Sequence, residues 1–142
     1  MGVGKMKQSI QLWQCSDHTK ALEMIVRDPF IIGVNSEQTD LRMVEFPFFN
    51  DKGRQLGEVD VIFGQSESKR LYIVEYKTHD NQKLRKKAKE QLFIGREGLK
   101  SQFGWDVTHM LYVHGPNFQT YKLIDDYITF CNNQDYIRER FE

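Results

Sequence analysis

Three ionisable side chains stand in segments that otherwise read as buried strand. The stretch GEVDVIF (Gly57–Phe63) holds Asp60, and LYIVEYKT (Leu71–Thr78) holds Glu75 and Lys77. Side chains alternate along a strand, so Glu75 and Lys77 share one face while Val74 and Tyr76 take the other. If the two segments are neighbouring antiparallel strands, Asp60, expected to share its face with Glu58 and Ile62, comes near Glu75. A charge beside a sheet core is costly unless it is paired or bound to a cation. Two accounts are open. In one, Lys77 pairs with Glu75 or Asp60 as a structural salt bridge. In the other, the two carboxylates and a main-chain carbonyl between them offer hard oxygen ligands to Mg²⁺ or Mn²⁺, with waters left for a phosphate and a nucleophile. Lys77 there would ease removal of a proton from water and neutralise charge on the transition state. Acid, acid and base at this spacing suit phosphodiester hydrolysis.

The elements that must position these residues are legible from periodicity. Ser16 or Asp17 caps a predicted helix running to about Arg27, with Ala21, Leu22, Ile25 and Val26 on its apolar side and Asp28-Pro29 as its stop. Leu41–Phe49 and Gln55–Phe63 read as strands joined by the tight turn Asn50–Gly53, and Gly64–Arg70 is a second polar turn before the strand Leu71–Lys77. The unbroken apolar run Leu71–Val74 marks that strand as central, covered on both faces. From Asn81 to about Lys100 the spacing is helical, with Leu84, Ala88 and Leu92 as an apolar column. Val107–Val113 is a fourth strand and Gln119–Ile124 a fifth. From Asp125 onward a helix is expected, with Tyr127, Phe130, Ile137 and Phe141 inward. The fold class is therefore α/β, a mixed sheet of α-β-β-β-α-β order flanked by helices.

The 142 residues suffice for one domain, taken as residues 1–142, and are too few for two independent cores. At 39% hydrophobic and 13% aromatic the composition is that of a globular protein, and the runs PFIIGV and FPFF are too short to span a bilayer. The start MGVGKMKQS has no apolar signal core, and Met6 stands where a myristoylation motif wants Ser or Thr, so no membrane partner and a cytoplasmic location are expected. Cys15 and Cys131 form no C-x-x-C pair and are expected as buried thiols rather than a disulfide or zinc framework. Lys plus Arg (20) balance Asp plus Glu (20), which argues against a whole-molecule field that attracts nucleic acid. The charge is nonetheless uneven: Lys83-Leu84-Arg85-Lys86-Lys87-Ala88-Lys89 is strongly basic, either a solvated helix face or a phosphate contact.

The motif pair GEVD and VEYK, set in this element order, resembles the PD-(D/E)XK nuclease superfamily over roughly Asp17–Val113. In form it looks most like the archaeal Holliday-junction resolvases and their relatives. The resemblance implies a restriction-endonuclease-like core and a Mg²⁺-dependent (or Mn²⁺-dependent) DNA endonuclease leaving a 5′ phosphate, in DNA repair or recombination. It gives Asp60 and Glu75 the role of metal ligands together with the Tyr76 carbonyl, and Lys77 that of placing and polarising the water. It further implies Glu23 on the first helix and Gln91 on the later one as secondary catalytic candidates. Beside these, Glu58 is read as an outer acid, and Lys83, Arg85, Lys86, Lys87 and Lys89 as electrostatic contacts to the DNA backbone. Lys83, Lys87 and Gln91 form one i, i+4 column beside the apolar one. The Q-x-x-x-Y pattern of recombination-type exonucleases is broken, because Gly95 stands where Tyr is expected. A homodimer held by the aromatic C-terminal segment is also compatible with the resemblance.

Other residues carry less. His79 follows the motif but reads as an exposed loop residue, His109 and His114 lack a partner ligand pair for zinc, and His18 falls in a capping turn. No Gly-x-Ser-x-Gly, P-loop or Gly-x-Gly-x-x-Gly occurs. Trp13 and Trp105 are expected in the core or an interface. The rival from another class is a non-catalytic nucleic-acid-binding or scaffold domain that keeps the charges as salt bridges.

Overall fold

The computed structural model describes residues 17–124 and 127–130. Cys15, Cys131, Trp13, Ser16, Ile137 and Phe141 lie outside the described residues, as does most of the segment proposed for a dimer contact. The elements are α1 (Asp17–Arg27), two 3₁₀ turns (Pro29–Ile32 and Ser36–Gln38), β1 (Leu41–Phe49), β2 (Gln55–Gln65), β3 (Arg70–Lys77), α2 (Gln82–Phe103), β4 (Asp106–His114), β5 (Gln119–Ile124) and β6 (Tyr127–Phe130). They form one six-stranded mixed sheet in the order β1-β2-β3-β4-β5-β6, antiparallel except for the β3–β4 pair. The class is α/β, as expected. One expectation fails: Tyr127–Phe130 is a strand paired with β5, not the start of a helix. The alternation Tyr-Ile-Thr-Phe suits a strand as well as a helix turn, and the free edge of β5 decides between them.

Local chemistry accounts for the turns. Asn50 accepts the Lys52 and Arg54 backbone N–H groups on its Oδ1, each at 2.9 Å, and Gly53 takes the left-handed conformation that closes the β1–β2 hairpin. Asn81 caps α2 by accepting the Leu84 N–H at 2.8 Å, and Gly104, left-handed at φ 72°, ends it with its N–H on Lys100 O. Because β3 and β4 are parallel, α2 is the crossover that returns the chain.

The two helices cover opposite faces. On one, Ala21, Leu22 and Ile25 of α1 pack with Val61, Phe63, Val74, Tyr76, Leu111 and Val113. On the other, Leu92 and Leu99 of α2 pack with Phe48, Val59, Ile62, Ile73 and Met110. From Leu71 to Tyr76 every residue of β3 is buried, as its apolar run implied. Gly95 lets α2 approach closely: a Cβ there would lie 2.4 Å from Val59 Cγ2. No side chain fits between helix and sheet at this point without displacing Val59.

Arg42 anchors the end of α1 by donating Nη1 to Val26 O at 2.7 Å and Nη2 to Ser36 O at 3.3 Å. The helix is thereby tied to β1, the strand next to the one that carries Asp60.

Candidate active site at the end of the third strand

Strict alternation is broken at Asp60. Val61 and Phe63 face α1, yet Val59, two residues back from Val61, faces α2. β1 carries a matching irregularity: Glu45 takes φ 51°, and the ladder passes from Val44↔Val61 to Phe46↔Val59 without a Glu45–Asp60 pair. The β2–β3 ladder ends at Val61↔Val74, so Asp60 and Glu75 are the next positions outward, where the strands separate. The expectation that Asp60 shares a face with Glu58 and Ile62 is thereby corrected. Asp60 instead lies in the gap between the strands, where its Oδ2 accepts the Tyr76 N–H at 2.8 Å in place of a ladder bond.

Asp60 and Glu75 are both buried, at 6% and 2% exposure. Lys77 Nζ lies 3.4 Å from Glu75 Oε2 and donates to Gln91 Oε1 at 2.9 Å. Glu75 Oε1, with no access to solvent, has no hydrogen-bond partner among the described residues. Burial, then the neighbouring Asp60 charge, push the Glu75 carboxyl up to about 9, against the opposing pull of Lys77 and of the Asp60 backbone N–H. Glu58, half-buried, is also raised, first by burial and then by Glu45 and Asp60. Without a cation, Glu75 therefore keeps its proton well above the ordinary carboxylate range instead of adding a second negative charge beside Asp60.

These contacts bring Asp60, Glu75, Tyr76, Lys77 and Gln91 together. Glu23 is not among them: it is exposed on α1, about 140° around the helix from the residue that does reach the site. That residue is His18, whose Nε2 lies 3.1 Å from Asp60 Oδ2 and whose pKa is raised chiefly by that hydrogen bond. The sequence held a usable signal, because 18, 22 and 25 form one helical stripe and Leu22 and Ile25 are its buried members.

The basic run divides. Lys83, Lys86 and Lys87 are exposed on α2, and Lys89 is half-buried. Arg85, read from the sequence as a DNA-backbone contact, is paired here with Asp80 while staying 40% exposed. Its Nε and Nη2 bond Asp80 Oδ1 and Oδ2 at 2.7 and 2.6 Å, and its guanidinium lies 5.3 Å from the Tyr121 ring centroid. Tyr112 donates its hydroxyl to Asp80 Oδ1 at 2.9 Å, and His114, stacked on Tyr121, reaches within 3.5 Å of Asp80 Oδ2. The hydrogen bond from Arg85 leads the causes that hold the Asp80 carboxyl down to about 2.

Among the described residues no three His, Cys, Asp or Glu side chains converge as a metal cage. A cation at this site would draw its remaining ligands from a carbonyl, water and phosphate, which suits Mg²⁺ or Mn²⁺ better than a closed zinc site. The donor set fits such an ion in one specific respect: Glu75 Oε1 is a buried carboxylate oxygen without a hydrogen-bond partner among the described residues. No protein-family model matches the chain, and a search of curated proteins finds no match either. Among the described residues no helix is long and apolar enough to cross a membrane.

Proposed function

We propose that this chain is a Mg²⁺- or Mn²⁺-dependent DNA endonuclease with a restriction-endonuclease-like core, similar in motif form to the Holliday-junction resolvases. The observation that carries this reading is the buried Glu75 oxygen without a partner, beside a second buried carboxylate and a lysine. A structural salt bridge would be expected to close its hydrogen bonds; this one leaves an acceptor open and two acids close enough to repel.

In this reading Glu75 and Asp60 hold the ion with the Tyr76 carbonyl. The chemistry a bound ion supplies is Lewis acidity toward water and a phosphate oxygen. The Tyr76 N–H and His18 both sit on Asp60 Oδ2, which fixes that carboxylate and leaves Oδ1 as the oxygen for a ligand. Gln91, by accepting from Lys77 Nζ, holds the ammonium over the end of β3, where it orients the attacking water and offsets charge on the phosphoryl group. Lys83, Lys86 and Lys87 supply backbone attraction from α2, sensitive to salt.

The test is a cleavage panel of linear, nicked and four-way DNA with and without Mn²⁺, run on the wild type and on Lys77→Ala, with circular dichroism to check folding. Cation-dependent cutting lost in the variant supports the nuclease. One observation favours the scaffold alternative, the 3.4 Å Lys77–Glu75 contact in a chain of zero net charge. Under that reading neither cutting nor cation binding appears.

A further inference from the structure

Across the end of the sheet from Lys77 lies a cavity of about 420 Å³. The first half of α1 forms one wall with Asp17, Ala21 and Met24, the end of β3 forms the floor with Tyr76 and Thr78, and Phe118 of the β4–β5 turn closes the far side. Its volume is within the range of about 300–1,000 Å³ that small-ligand sites occupy. The lining is divided in a way that suits a nucleoside: Ala21, Met24, Pro116 and Phe118 offer apolar surface to a ring, and Asp17, Lys20, Thr78 and His79 offer acidic, basic and hydroxyl groups to its polar edge and phosphate.

Two features separate this cavity from an incidental surface groove. Phe118 has φ 52°, a left-handed conformation unfavourable for an aromatic residue, and it is held there by its N–H on Gly115 O at 3.2 Å and by Thr120 Oγ1 on its own carbonyl at 3.0 Å. The strained turn sets the Phe118 ring 5.9 Å from that of Tyr76. Met24, by contrast, is 45% exposed on a helix whose other apolar side chains Ala21, Leu22 and Ile25 are buried, so its thioether faces the cavity rather than the core. The cavity also shares its floor with the candidate active site: Tyr76 bonds Asp60 through its N–H, and Thr78 follows Lys77 directly.

We infer that this cavity is a subsite for one unpaired nucleoside next to the phosphate being cut. The inference rests on the nuclease reading and deepens it by naming the substrate class: DNA with an unpaired nucleotide at the cleavage position, as in a single strand, a flap or the branch of a junction. A volume of about 420 Å³ can take a single base, and a base held in a pair has its hydrogen-bonding edge occupied, so only an unpaired one is free to turn toward Met24 and Phe118. Stacking against such side chains is indifferent to sequence, because every base has a π face.

The experiment measures fluorescence anisotropy of a labelled eight-nucleotide oligothymidylate in Ca²⁺, alongside a blunt duplex and the same duplex with one unpaired thymidine. The variants are Met24→Glu, which puts a carboxylate at the cavity from an exposed position, Phe118→Ala, and Leu56→Glu as a control on an exposed residue outside the cavity lining. Met24→Glu and Phe118→Ala are expected to weaken single-strand binding by roughly 5- to 100-fold, with Leu56→Glu unchanged and the blunt duplex bound more weakly than the one with an unpaired nucleotide. Equal weakening by Met24→Glu and Leu56→Glu, or a blunt duplex bound as tightly as the single strand, overturns the inference; should Phe118→Ala misfold, Met24→Glu decides alone. Cleavage is scored separately in Mn²⁺. Binding that follows this pattern without any cutting sinks the nuclease reading and keeps the subsite, whereas cutting with no response to Met24→Glu does the reverse.

Discussion

Two carboxylates a few residues apart, Glu75 and Asp80, each lie beside a basic side chain, and their environments drive them in opposite directions. Asp80 receives two N–H bonds from Arg85 and the Tyr112 hydroxyl, and its carboxyl is held down to about 2. Glu75 has a 3.4 Å contact to an ammonium shared with Gln91, a second acid nearby and one oxygen with no partner, and it is pushed up to about 9. The residue types are nearly the same. Each cluster leaves one buried atom without a hydrogen-bond partner among the described residues, Glu75 Oε1 in one and His114 Nε2 in the other. What differs is the carboxylate itself: both Asp80 oxygens receive donors and one Glu75 oxygen does not, and that separates a staple from a candidate site.

The sharpest way to break the comparison is to neutralise each acid. Glu75→Gln puts a neutral amide of the same shape in place of a buried acid with one oxygen unpartnered among the described residues, so urea denaturation should show stability unchanged or higher. Cutting in Mn²⁺ should fall by about 10²- to 10³-fold, the size typical of losing one such electrostatic group. A large loss of stability in Glu75→Gln would mean that its ion pair with Lys77 is structural, and the comparison would collapse.

Proton linkage gives the next effect, with opposite signs at the two acids. The folded Glu75 carboxyl, raised from 4.5 to about 9, binds its proton more tightly than the unfolded chain does, so its contribution to stability declines as pH rises through that window. Asp80, lowered from 3.8 to about 2, contributes stability above pH 3.8 that is lost as pH falls toward 2. Denaturation midpoints of the cation-free protein should therefore drop between pH 6 and pH 9, and saturating Mg²⁺ or the Glu75→Gln change should flatten that slope. A midpoint that stays level over this range without Mg²⁺ would show that Glu75 is already satisfied.

The sequence exposed the acids and hid their surroundings. Asp60, Glu75 and Lys77 could be found because a charge in an apolar strand is costly wherever the strand lies, and the element order through β5 followed from periodicity alone. His18 was missed because its importance depends on α1 lying over the gap at Asp60, a tertiary fact, whereas Glu23 was favoured by analogy and projects into solvent. The face switch at Glu45 and Asp60 was equally hidden: alternation rules assume an unbroken ladder, and nothing local announces a paired irregularity in two strands. The Asp80 network assembles residues from α2, β4 and β5, more than 30 positions apart at its extremes, so no spacing rule could reveal it.

A smaller effect is expected where both carboxylate oxygens have donors. Asp80→Asn keeps the shape and removes the charge, leaving Arg85 with a weaker acceptor. Because the Arg85 side chain is 40% exposed, solvent screens part of that loss, and about 1–2 kcal/mol of stability should disappear in urea titrations. Cation-dependent cutting should hardly change. If Asp80→Asn instead abolished cutting at full stability, the division between staple and site would have been drawn in the wrong place.

The finest test is His18→Ala, because it lies on the boundary between the two behaviours. His18 is 40% exposed and its ring gives Asp60 a single bond at 3.1 Å, so little stability depends on it. Its removal leaves the Tyr76 N–H as the remaining bond on Oδ2 among those described, and Asp60 gains freedom to rotate out of the gap. Cutting should then fall by about fivefold, equivalent to about 1 kcal/mol at the barrier, and His18→Gln, which can restore an N–H donor, should recover part of it. Recovery by Gln would assign His18 the task of aiming Asp60; a loss that Gln cannot rescue would require the imidazole itself, and would move His18 from the edge of the site to its centre.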